Sequence, residues 1–239
     1  MRLGDFRILT FDCYGTLIDW ETGIVDALRP WLARHGAAIG RETLLAAFAR
    51  HESAQQAATP AMRYPELLAC VLRRMGEELG LPVSDAEAEA FGASVGDWPA
   101  FPDSAAALAH LAGHYRLVVL SNVDRASFAR SAARLGDPFD AVFTAEEIGS
   151  YKPDPRNFTF MLDRLAAAGW ARGEILHTAQ SLFHDIRPAK AAGLATCWID
   201  RSGSRAGGAT PVVDEPVAPD FRFPSLAAMV EAHRAETGD

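Results

Sequence analysis

The sequence predicts an α/β fold: a parallel sheet with helices on both faces and an all-helical unit inserted near its start. Two observations carry that prediction. Five short apolar runs, at 8–11, 117–120, 141–144, 175–178 and 195–199, lack helical periodicity, and helical patterns separate the later ones. That alternation marks βαβ units, whose crossover helices cover a parallel sheet. Between the first run and the second lie about a hundred residues, far more than one crossover helix uses.

The elements follow in chain order. Ile8, Leu9, Thr10 and Phe11 form an apolar, partly β-branched run suited to a strand buried on both faces. It delivers Asp12 into a turn with Gly15 and Thr16, where glycine permits a sharp reversal and the amides after Asp12 can face an anion. In the insert, 24–35, 42–56, 64–79 and 85–95 repeat apolar residues at helical spacing, punctuated by Gly36, Pro60, Gly80 and Pro82. Residues 18–97 are therefore expected to be a helical cap, and 1–17 with 98–239 a Rossmann-like core. Trp20, Phe48, Tyr64 and Trp98 suit either the cap's inner face or its own core. Helical patterns at 126–135, 157–167 and 186–192 separate the later strands. After Arg201, a Gly- and Pro-rich stretch reads as a surface loop before a last helix at 225–234.

Composition narrows the function classes. A chain of 239 residues with 49% hydrophobic and 23% charged residues is ordinary globular protein, with ample length for a core. A net charge of −8 argues against a nucleic-acid or anionic-membrane partner. Cys13, Cys70 and Cys197 are widely spaced, which fits neither a disulfide framework nor a zinc site, so a cytoplasmic location is expected. Cys13 adjoins Asp12 without a base or cation in sequence to activate it, and reads as a packed residue. The sequence carries neither a signal-peptide pattern nor an apolar run long enough to span a membrane.

Polar residues sit at the ends of the later strands. Ser121 and Asn122 follow the apolar run at 117–120, Lys152 lies in SYKPDP, and Asp185 lies in TAQSLFHDIRPAKAAG past the run at 175–178. Strand ends of a parallel sheet face one edge, so these groups can converge on Asp12. Singly, each has a plain reading: Asp12 or Asp185 as a cap, Ser121 and Asn122 as a turn, Lys152 as a solvated lysine. Their order and strand context together favour a site.

FDCYGTLID, LSN, YKPDP and the acidic stretch before PAKAAGLAT resemble the four motifs of the haloacid dehalogenase superfamily of hydrolases, which carries a helical cap between the first and second. Tyr14, two places after Asp12, and LATCWIDRSG resemble the L-2-haloacid dehalogenase subgroup. The resemblance implies that Asp12 attacks as a nucleophile, Ser121 and Asn122 bind substrate oxygens, Lys152 neutralises Asp12, and Asp185, with Ser181, orients water. It also implies that Tyr14 and Thr16 contact a small carboxylate-bearing substrate, and that Arg50 in FARHE receives the leaving halide. Related enzymes are often dimers, which makes a homodimer an option. Most superfamily members resemble Mg²⁺-dependent phosphatases whose second acidic residue, two places after the nucleophile, protonates the leaving alkoxide. Here Tyr14 occupies that place, and a halide needs no proton. The usual Gly-Asp of the fourth motif is Ala179-Gln180, so the expectation is no cofactor, with Mg²⁺ through Asp12, the Tyr14 carbonyl and Asp185 as the alternative. The stretch AQSLFHD is one residue longer before its acid than the dehalogenase pattern, and Phe158 stands where those enzymes have a tyrosine. A phosphatase and a catalytically weak binding member are the rival functions.

Overall fold

A computed structural model describes residues 1–201 and 217–238. Six parallel strands form one sheet: β1 (Ile8–Phe11), β2 (Arg116–Ser121), β3 (Ala141–Thr144), β4 (Ile175–Ala179), β5 (Ala195–Ile199) and β6 (Phe221–Phe223). Their order is β3-β2-β1-β4-β5-β6, which puts the strand before Asp12 in the middle. Phe11 is level with Val119 of β2 and Thr178 of β4, so Asp12, Ser121 and the chain after β4 leave the sheet at one edge. Every residue of β1 is buried, as a central parallel strand covered on both faces requires.

The ten helices are α1 (Trp20–Arg34), α2 (Arg41–Ala58), α3 (Tyr64–Leu79), α4 (Asp85–Ala93), α5 (Ser104–Ala112), α6 (Arg125–Arg134), α7 (Ala145–Ile148), α8 (Pro155–Ala167), α9 (Arg187–Ala191) and α10 (Leu226–Thr237), all among the described residues. The first four make up the insert, and their boundaries carry identifiable signals. Ser84 and Glu87 close a capping box on α4, and Gly80 ends α3 in the left-handed conformation. The chain enters and leaves the insert side by side: Ile18 bridges Ala100, and the Asp19 N–H bonds to the Pro99 carbonyl at 2.8 Å. Gly23 on α1 lets Trp98 pack against the helix backbone, since a Cβ there would lie 2.2 Å from the indole Cγ.

Two features differ from the sequence expectation. Helix α5 follows the four expected ones, because SAAALAHLA has no polar stripe to announce it. The stretch expected as loop after Arg201 includes β6, an edge strand held by its pairing with β5, and 202–216 of that stretch lie outside the described residues. Among the described residues, no helix is long and apolar enough to cross a membrane.

Candidate active site

The central strand ends in Asp12, and three other segments meet it. Lys152, in the loop between α7 and α8, is 1% exposed and carries its ammonium between two carboxylates. Its Nζ donates to Asp12 Oδ1 at 2.9 Å, to Asp185 Oδ1 at 2.6 Å and to the Leu120 carbonyl at 2.9 Å. The second oxygen of Asp12 accepts from the Thr16 hydroxyl at 2.7 Å, and that hydroxyl accepts from the Gln180 amide. Gly15 makes this turn with φ of +99°, where a side chain is strained.

The extra residue before Asp185 has a structural solution. Leu182–Ile186 winds as a single π-turn, with the Ile186 N–H bonded to the Ser181 carbonyl, and absorbs one residue more than an α-turn. Asp185 thereby reaches Lys152. The same oxygen, Oδ1, also accepts from His177 Nε2 at 3.1 Å, while Thr10 donates to His177 Nδ1 at 2.8 Å, the tautomer that the carboxylate imposes.

Charge in this cluster follows from burial and proximity. Burial pushes the Asp12 carboxyl above the ordinary aspartate range; Lys152 opposes the shift and Asp185 adds to it. For Asp185, burial is outweighed by Lys152 and by the His177 hydrogen bond, which hold it below that range. Burial also works against the Lys152 charge, and the two carboxylates outweigh it, so the ammonium persists.

A small cavity of about 50 Å³, partly open to solvent, lies above Asp12 between core and cap. Tyr14, Trp20, Glu52, Gln56, Tyr64 and His184 line it along with Asp12 and Lys152. Tyr14 presents its ring, edge-on to Trp98, while its hydroxyl bonds to Ser131 at 2.9 Å. Burial raises that hydroxyl well above the usual tyrosine range. Burial lowers His184 to about 4, so it is neutral at neutral pH. Phe48 and Trp98 belong to the core, while Trp20 and Tyr64 face the cavity.

One expected contact differs, and Asn122 and Ser181 carry structural bonds as well. Arg50 does not line the cavity: its side chain is 58% exposed and ion-paired with Glu78. Successive helical residues turn by about 100°, so the buried face of α2, through Phe48, Glu52 and Gln55, excludes Arg50. Asn122 lines the cavity and holds Lys152 through its amide, donating one N–H to its carbonyl at 3.0 Å and accepting from its N–H at 2.7 Å. The Ser181 hydroxyl accepts from the His184 N–H at 2.9 Å and lies 3.2 Å from the His184 ring. Ser121 keeps a buried hydroxyl with no partner among the described residues. Cys13 is buried and its thiol is pushed well up by burial, which leaves it a packing residue.

Sequence reasoning missed two groups. His177 is a polar residue inside a strand of buried apolar neighbours. Glu52 stands one helical turn after Phe48, a spacing that marked it for the inner face. It accepts from the Tyr64 hydroxyl at 2.7 Å and from Gln56 at 3.2 Å, and burial raises its carboxyl to about 7.

The sequence profile of the haloacid dehalogenase-like hydrolases matches residues 6–193. The chain belongs to that family. It is 28% identical over 241 residues to an (S)-2-haloacid dehalogenase from Pseudomonas sp. (strain YL), covering 96% of this chain and 95% of that protein. It is also 30% identical over 201 residues to a phosphoserine phosphatase from Thermus thermophilus, covering 82% of this chain and 75% of that one. In fold it resembles the L-2-haloacid dehalogenase from Xanthobacter autotrophicus, with a TM-score of 0.78 at 20% identity over 97% of this chain and 98% of that one.

Membership raises the question of Mg²⁺, which some haloacid dehalogenase-like hydrolases use. The ion asks for near-octahedral oxygen ligands. Here Asp12 and Asp185 each give an oxygen to Lys152, and Ala179 and Gln180 add no carboxylate. Mg²⁺ would therefore rest on the remaining oxygens of Asp12 and Asp185 and on the Tyr14 carbonyl, with no third carboxylate beside them among the described residues.

Proposed function

We propose that this hydrolase cleaves the carbon–halogen bond of a small 2-haloalkanoic acid without a metal, through an ester on Asp12. The observation that carries the reading is the Tyr14 hydroxyl, bonded to Ser131 with its proton held tightly. The place where a phosphatase of this family needs a proton donor therefore has none to give. A leaving halide asks for none.

In the proposed sequence a carboxylate oxygen of Asp12 attacks the halogen-bearing carbon in line, and the halide departs with the bonding pair. The carbon inverts. Water then attacks the carbonyl carbon of the Asp12 ester, giving the 2-hydroxy acid and an Asp12 that keeps one water oxygen. Lys152 and Thr16 fix the carboxylate before attack and stabilise charge during ester hydrolysis, and Asp185 takes a proton from the water and passes it to the departing oxygen of the 2-hydroxy acid. Ser121 brings an unspent hydroxyl to the substrate carboxylate. With Arg50 turned away, Trp20 and Gln56 offer N–H groups to the halide. Closure of the cap excludes bulk water, which would blunt the carboxylate.

Glu52 favours a second reading. A cap carboxyl near pKa 7 facing the same cavity is a proton donor of the kind a phosphate ester's alkoxide needs. A panel of 2-halopropionates and phosphate esters, assayed with EDTA and with Mg²⁺ and blanked with Asp12→Asn, separates the two. Single-turnover haloacid hydrolysis in heavy-oxygen water then tests the ester: label must enter Asp12 first, and label passing straight to the product carbon overturns it.

A further inference from the structure

Three histidines converge at the sheet edge opposite Asp12. His110 lies in the last turn of α5, His114 just beyond it, and His233 on α10. The His114 N–H bonds to the Leu111 carbonyl at 3.0 Å, which continues the turn past Gly113 and sets His114 beside His110 at the i, i+4 spacing. From the packed face of α10, His233, 2% exposed, meets both. His110 Nε2 and His233 Nδ1 lie 3.1 Å apart, and one ring nitrogen from each histidine lies within 4.8 Å of the others.

We propose that these three imidazoles bind one first-row transition metal ion of the Zn²⁺, Ni²⁺ or Cu²⁺ class, with water completing the shell. Imidazole nitrogen suits those ions, and a site without carboxylates does not suit Mg²⁺ or Ca²⁺. Zn–N bonds of about 2.0–2.1 Å put tetrahedral ligand nitrogens about 3.3 Å apart. The His110–His233 pair already stands near that spacing, and the exposed His114 closes the remainder by side-chain rotation. Metal replaces the hydrogen bond between the two rings. The proton of that bond moves to the other nitrogen of its own ring, so each ligand stays a neutral imidazole.

The strand rise between the His114 level and Asp12 is about 20 Å, so the ion takes no part in the reaction. It ties α10 to α5, the helix that leads into β2. The site is independent of the proposed substrate.

The test uses untagged full-length protein stripped with a chelator and titrated with ZnCl₂ or NiCl₂ by calorimetry and thermal unfolding. One equivalent should bind, and Tm should rise by about 5–10 °C at a hundredfold excess over Kd. His114→Ala, an exposed change, should leave the metal-free Tm unaltered and abolish the rise. His110→Asn should do so too. No rise in the parent protein, or the same rise and stoichiometry in both variants, overturns the proposal.

Discussion

Replacing Lys152 with methionine removes one cation from between two buried carboxylates while keeping most of the side chain's volume. Asp12 and Asp185 stand 2.9 and 2.6 Å from its Nζ, and all three residues are under 10% exposed. Breaking a buried pair by deleting one partner costs about 3–5 kcal/mol, and two partners are stranded here, so the upper half of that range applies. Near neutral pH that is a Tm loss of about 10 °C or more. The sign of the pH dependence is fixed. Without the ammonium, the folded-state pKa of both carboxyls rises above the unfolded value, so the variant's folded state binds more protons than its unfolded state. Its stability is retained at low pH and lost as pH rises through the raised pKa, whereas the parent keeps the stability that depressed Asp185 contributes until pH falls through its folded pKa. The gap between the two must widen from pH 5 to pH 8 in urea denaturation. Turnover should fall by about 10²–10³-fold and its acid limb should move to higher pH. A stability gap below about 1 kcal/mol, or one that does not depend on pH, would refute the buried two-carboxylate bridge.

Glu52→Gln should leave stability unchanged near pH 4 and raise it by about 2–3 kcal/mol above pH 8, because a folded pKa of about 7 means the parent loses stability as pH rises through that value. For a carboxylate substrate the parent's KM should climb above pH 7 and the variant's should stay flat; a fall in kcat at all pH values would assign Glu52 the proton-donor role instead. Tyr14→Phe should reduce haloacid turnover by no more than about tenfold, the scale of one neutral hydrogen bond, and a thousandfold loss would return Tyr14 to the chemistry. Arg50→Ala should change stability by under about 0.5 kcal/mol and leave haloacid kinetics as they were, since its guanidinium faces Glu78 and solvent.

How much was legible depended on where each signal lay. Buried parallel strands announce themselves as short apolar runs, and β3 and β5 begin and end where the sequence places them. The polar residues that follow strands were equally plain, because the sheet edge gathers them wherever they stand in sequence. Partner-dependent features were not. β6 is three residues whose pairing with β5 creates it, and nothing in Phe-Arg-Phe requires a strand. The longer spacing before Asp185 was visible as a departure, while the π-turn that resolves it depends on the Ser181 carbonyl accepting from Ile186. Arg50 and Glu52 sit two residues apart on α2, about 200° around the helix, so only one can face Asp12. Residue type favoured Arg50; the spacing from Phe48 favoured Glu52, and packing follows spacing.

The paired bonds between Asn122 and Lys152 carry a consequence for precision. A primary amide sets a donor and an acceptor side by side, as the backbone of a strand residue does, and Asn122 turns one of each to the backbone N–H and carbonyl of Lys152. It imitates one more rung of a strand ladder, one residue past the end of β2. The lysine's placement is therefore inherited from the rigid sheet instead of its own loop. An aspartate there would match Asn122 in shape and set a second acceptor against the carbonyl, turning a docking rung into a repulsive one.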